Sequence, residues 1–306
     1  MARNKLTTKV ATEKQSFGAT SYKQALFLNS ESFFTIYGGA AMCLDATAEF
    51  LTEHGWKSIS AYNGETDKVA QVDPVTSNLT FVKPLDYIKQ KNETFSRMRA
   101  RGLDLIHTDN HKVLYYSDKT GDNPKYIPFS EVKDRHVKSK TKGWTGNIKT
   151  TFNPTFDGVD LTDDEIRLQV AIQADGSIKN HNIDGTKSVL IRVSKKRKAE
   201  RLIALLDSVG VEYSYKEKYD TKYTNDTEHQ FYFRDKLATK EFDSFWYKLS
   251  QKQLLVVVEE VGHWDGSIVE SVNTIRYYSA NKKNADFIQY AFHACGRNTN
   301  IHIESH

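Results

Sequence analysis

This sequence has little of the material from which disulfide scaffolds, membrane spans or disordered chains are built. Cysteine occurs twice, at Cys43 and Cys295. Two are too few for a disulfide framework and fit a reducing compartment. Proline occurs 5 times in 306 residues, beside 16 Phe and 16 Tyr, which excludes disorder. No apolar run approaches the roughly 18 residues of a membrane span, and the mean hydropathy is −0.60. The N-terminal stretch MARNKLTTKVATEKQ has no apolar signal core, so a cytoplasmic, membrane-free chain is expected. A strong excess of one charge is also missing. The net charge is +4, and nucleic-acid binding must then be argued from clustering.

What is present changes character along the chain. After a polar start, short β runs such as Lys68–Val72, Leu79–Val82 and Lys112–Tyr116 alternate with breakers such as Asn63-Gly64, the pattern of an all-β module. Residues 133–160 read as a linker. Helical periodicity begins at Leu161, where Thr162 and Glu165 form a capping-box pattern. Strands are expected over Val189–Val193, Val211–Tyr215, Gln230–Phe233, Thr274–Tyr278 and Ile301–Ile303. Helices are expected over Lys195–Val209, Lys240–Leu249, Gln251–Asp265 and Asn281–Cys295.

The C-terminal half repeats itself. Leu168–Ile178 parallels Val258–Ile268; each segment ends in Asp-Gly-Ser-Ile and is followed by a strand, a basic helix and a glycine, Gly210 or Gly296. One Asp-Gly at a helix end is usually a turn. A repeated pair of helices packed side by side would bring Asp175 and Asp265 together. Converging carboxylates suit Mg²⁺, which polarises a phosphoryl oxygen and activates water. Arg192, Lys195, Lys196, Arg197, Lys198 and Arg201 fall within ten residues, and Lys282 and Lys283 stand in the parallel place. Such residues contact phosphates, although a lone basic face is more often only solvated.

The pair of segments resembles the two dodecapeptide motifs of LAGLIDADG (DOD-type) homing endonucleases. The resemblance implies two pseudo-symmetric αββαββα repeats, 161–250 and a truncated 251–306. It also implies cleavage of double-stranded DNA, with Asp175 and Asp265 as catalytic residues and metal ligands. His263-Trp264 stands where that family has small or apolar residues.

Upstream, Cys43 and the Thr108-x-x-His111 segment resemble the first residue and the TxxH block of inteins, the Hint family, over 43–132. This implies a β + α/β chain, with a horseshoe-like all-β splicing module before the endonuclease. Cys43 would attack the Met42 carbonyl in an N–S acyl shift, Thr108 would hold the peptide, and His111 would protonate it. Residues 1–42 end in Gly39-Ala40-Ala41-Met42, the start of a P-loop, and resemble a phage terminase large subunit as host, which places the chain in a phage-infected bacterium. The intein's C-terminal blocks are missing, so a C-terminal intein fragment carrying the host C-extein is the expected partner, along with DNA. Two alternatives stand beside this reading. One is a stand-alone homing endonuclease with a degenerate Hint region; the other is a non-catalytic, sequence-specific DNA-binding protein.

Overall fold

The computed structural model describes residues 44–87, 94–100, 102–116, 123–138, 146–220, 226–269 and 274–302. The chain divides into two units, Met1–Phe50 with Lys57–Lys149, and Leu51–Trp56 with Thr150–His306. Cys43 and the P-loop-like segment lie outside the described residues.

The N-terminal half holds short strands: β1 (Glu49–Thr52), β2 (Gly55–Ser58), β3 (Val69–Val72), β4 (Asn78–Val82), β5 (Phe95–Ala100), β6 (Leu103–Thr108), β7 (Lys112–Tyr115) and β8 (Lys125–Pro128). β3 pairs with β4, β5 with β6, and β7 with β8, all antiparallel. A purely β module was expected, with the linker starting at 133. Instead, helix α1 (Phe129–Lys138) follows β8 directly. Its Phe129 and Val132 pack with Val113, Tyr115 and Ile127, so apolar burial carries order past the point where the basic composition suggested a linker.

The C-terminal half, after β9 (Asn153–Pro154), is built on α2 (Asp163–Asp175), β10 (Gly176–His181), β11 (Lys187–Val193), α3 (Lys196–Val209), β12 (Tyr213–Asp220), β13 (Asp226–Asp235), α4 (Gln251–Glu260), β14 (Gly266–Val269), β15 (Thr274–Tyr277) and α5 (Lys282–Ala294). Both capping residues act as the sequence implies. Thr162 accepts from the Glu165 amide while Glu165 reaches back to the Thr162 amide, and Ser250 and Gln253 do the same for α4. Helix α2 is buried almost all round, with Ile166, Leu168, Val170, Ala171 and Ile172 at 1% exposure or less. A helix buried on nearly every side, the glutamines Gln169 and Gln173 included, belongs between two layers. It packs against α3 and α4. The sheet runs β10-β11-β13-β12, and Val189, Ile191, Phe231 and Phe233 form its buried side. Helices α3 and α5 both stop at left-handed glycines, Gly210 and Gly296, the usual way to turn a chain out of a helix.

Several expected elements differ. Each Asp-Gly-Ser-Ile starts a strand, so a hairpin follows each acid where one strand was expected. Lys240–Leu249 is not a helix. It is a loop with one 3-10 turn, Trp246–Lys248. Its spacing is helical because Ala238, Phe242, Trp246 and Leu249 are all core residues. Its backbone is paid elsewhere, however: Asn284 accepts from the Phe242 amide at 2.9 Å and donates to the Lys240 carbonyl at 3.0 Å. The first half therefore reads α-β-β-α-β-β with no closing helix, and the αββαββα expectation is corrected there. Helix α4 ends at Glu260, ahead of a tighter turn at Val261–His263. Ile301 and His302 are not strand, and Ile303 lies outside the described residues.

The glycine after each acid has a steric reason. A Cβ on Gly176 would lie 2.4 Å from the Ile172 carbonyl oxygen, and one on Gly266 would lie 2.7 Å from that of Val261. Both obstacles are backbone and cannot rotate away. Gly176→Ala is expected to cost about 1–3 kcal/mol through forced backbone shifts, read as a lower midpoint in urea unfolding. An unchanged midpoint would show that this turn relaxes freely.

A two-carboxylate, two-lysine candidate site

Asp175 ends α2, and Asp265 follows the turn after α4. Lys198, in the first turn of α3, donates to Asp175 Oδ2 at 2.6 Å, with both side chains largely buried. Lys240 is exposed as a residue. Its ammonium nevertheless donates to the last carbonyls of α2: Ile172 at 3.3 Å, Ala174 at 2.9 Å and Gln173. The carbonyl end of a helix carries partial negative charge and favours a cation. Burial lowers the Lys240 pKa, opposed by the charges of Asp265 and Asp175. Burial raises the Asp265 pKa, the Asp175 charge adds to that rise, and Lys198 and Lys240 oppose it. Each of these carboxylates is thus within electrostatic reach of the other and of both ammoniums. Tyr277 completes the wall; its hydroxyl donates to Gln173 at 3.4 Å, and burial is the main force holding its pKa near 12.

Mg²⁺ was expected between the two acids. The donor set explains a different solution: Asp175 is bonded to an ammonium, and Lys240 adds a second cationic head. Among the described residues no group of three or more His, Cys, Asp or Glu is placed to hold a metal ion.

The basic residues singled out in the sequence do not form one face. Arg192 is on the exposed side of β11, and Lys195 stands at the N-terminal boundary of α3 without a side-chain capping bond. Lys196 pairs with Glu200 at 3.5 Å. Arg197 donates to the His263 carbonyl at 2.9 Å. Arg201 forks onto Glu260. Lys282 pairs with Asp286 at 2.7 Å, and Lys283 with Glu241 at 2.6 Å.

Glu260 was missed by sequence reasoning, because an acid near a helix end reads as solvated. It is completely buried and shared by Arg201, by Arg167 at 3.8 Å and by the Trp264 indole, which donates at 2.7 Å. Lys240 was missed because its segment reads as a helix. Gln173 and Tyr277 carry no motif.

In the first unit, Thr108 ends β6 and is buried. His111 donates its backbone N–H to the Thr108 carbonyl at 3.0 Å. Its ring stacks on His107 with centroids 4.7 Å apart, and Phe129 meets His107 edge-on at 4.4 Å. Among the described residues, His107 Nε2 and His111 Nδ1 are buried without a hydrogen-bond partner. Leu44 forms an antiparallel bridge with His107. Burial, with a smaller contribution from His107, pulls the His111 pKa down to about 4.

No family model matches the chain. Over 285 residues it is 26% identical to ribonucleoside-diphosphate reductase subunit beta of Aquifex aeolicus (strain VF5), a match that takes in 81% of this chain. The chain spans 39% of that relative's length. The relative is named as an enzyme subunit, and neither protein splicing nor DNA cleavage is in its name. The assignment to an intein carrying a LAGLIDADG homing endonuclease is therefore withdrawn. With it go the Hint and LAGLIDADG architectures, the terminase host, the Mg²⁺ cofactor, the DNA and intein-fragment partners, and both alternatives weighed beside them. No helix among the described residues is long and apolar enough to cross a membrane.

The histidine stack has a pH consequence. A folded pKa below the unfolded value means that the unfolded chain binds more protons between the two, so folded stability rises with pH there. Stability due to His111 is full above about 6.5, the free imidazole value, and is lost as pH falls toward about 4. Thermal melts of wild type and His111→Gln from pH 7 to pH 4 should show the variant losing less stability on acidification. Parallel curves would remove His111 from this role.

Proposed function

We propose that this chain belongs to an enzyme and supplies it with an acid–base centre, Asp175, Asp265, Lys198 and Lys240, that receives a phosphate-bearing ligand. The single observation behind this reading is the desolvated carboxyl of Asp265, with its raised pKa, set beyond the turn after α4 within electrostatic reach of Asp175, Lys198 and Lys240. A carboxyl tuned upward can give a proton to a leaving oxygen, and a lysine tuned downward can take one. The ligand class is supported by the lysine heads and by the relative's name, in which a ribonucleoside diphosphate is what the enzyme reduces. Of the basic residues of this region, the exposed Arg192 and Lys195 would supply the outer phosphate contacts, since Arg197, Arg201, Lys282 and Lys283 are bonded elsewhere.

Inorganic pyrophosphate is the probe. Calorimetric titration of the full chain should show binding that weakens about tenfold, roughly 1.4 kcal/mol, in Lys198→Met and in Lys240→Met. Asp265→Asn should spare binding. Equal affinity in wild type and both lysine variants would end this reading.

We further propose that Cys43, Thr108 and His111 form a nucleophile–imidazole set, supported by the unpartnered His111 nitrogen and by Leu44 being held beside His107. The other thiol, Cys295, is pushed up to about 11 by burial and should react slowly. Iodoacetamide labelling at pH 7 should then mark Cys43 first, and more slowly in His111→Gln. Labelling rates independent of His111 would separate the thiol from the imidazole.

A further inference from the structure

We infer that Trp264 is a positioning residue of the two-carboxylate centre: its ring, pinned by the buried Glu260 carboxylate, aims Lys198 at Asp175. This rests on the acid–base reading above. Three observations meet at this indole. Its N–H donates to Glu260 Oε1 at 2.7 Å, and both residues are buried. Lys198 Nζ stands over its ring, 5.7 Å from the centroid, within the range of a cation–π contact. That same Nζ is 2.6 Å from Asp175 Oδ2. Trp264 is also the residue immediately before Asp265, so one side chain is tied by covalent neighbourhood to one acid and through Lys198 to the other.

The geometry explains why a flexible lysine points one way. A lysine side chain has many rotamers to lose on being held in one geometry, and one ion pair alone leaves several of them open. The aromatic face closes one side of the Lys198 path, and Asp175 receives its head. The indole in turn cannot rotate, because its N–H is committed to a carboxylate that two arginines also hold. Glu260 therefore acts on the centre through Trp264 and touches neither acid.

The test uses the full chain, isotope-labelled, and reads the Lys198 ε-methylene protons by NMR. In wild type these should lie upfield of the other lysines through the ring current of Trp264. Trp264→Leu should abolish the upfield shift and weaken pyrophosphate binding about tenfold, an effect of the size of a desolvated cation–π contact. Trp264→Phe, which keeps an aromatic face but loses the N–H to Glu260, should restore both only in part. Glu260→Gln, which keeps an acceptor for the indole, should retain the shift. A Lys198 methylene at the ordinary lysine position in wild type overturns the inference even if Trp264→Leu does not fold. An upfield shift that survives in Trp264→Leu overturns it as well. An upfield shift in wild type that does not bind pyrophosphate supports the role of Trp264 and removes the acid–base reading instead.

Discussion

A carboxylate shut away from water must be fully partnered or the fold around it fails, and Glu260 is that carboxylate here. It sits at the last position of α4 with no exposed surface. Arg201 reaches it from α3, Arg167 from α2 and Trp264 from the turn beyond. Partners from two helices and one turn meet at a buried charge carried by a third helix, so their spacing is fixed there as well as by apolar packing. The ends of α2 and α4 stand where they do because this junction sets the distance between their axes. The two acids inherit their positions from it.

The centre that results is internally balanced. The carbonyl end of α2, Asp175 and Asp265 would by themselves form a strongly negative spot. Two ammoniums answer it, Lys198 from a helix and Lys240 from a loop. Asp175 is held by a direct ion pair, whereas Asp265 is pushed toward its neutral form by burial. Two acids of the same type, placed by the same local sequence, have unlike environments because α3 delivers its lysine to only one of them.

The local grammar of the chain was readable. The capping residues Thr162 and Glu165, the apolar run of α2 and the glycine ends of α3 and α5 all follow from patterns within about ten residues. What failed was decided at longer range. Lys240–Leu249 has helical spacing, yet Asn284, some forty residues on, supplies the hydrogen bonds that a helix would have made. Ser177 and Ile178 look like part of a turn and become strand only because β11 lies beside them. The basic run 192–201 looks like one surface, but its side chains part company: Arg192 faces out, while Lys198 and Arg201 turn inward to Asp175 and Glu260. No one-dimensional pattern announces a buried ion pair, so Glu260 and Lys240 were invisible. The family assignment leaned on those same short motifs, and short motifs of helix ends and turns are shared by unrelated proteins.

The Lys198–Asp175 contact carries one more implication. An anion arriving at this centre does not fill an empty positive hole; it must take Lys198 away from a carboxylate that already holds it. Entry is an exchange of partners, with Asp175 as the resident competitor. Singly charged, weakly coordinating ions would lose that contest, and a group with several oxygens and more than one negative charge could win it. On the reading proposed above, the ion pair would act as a threshold that selects visitors by charge before any proton transfer.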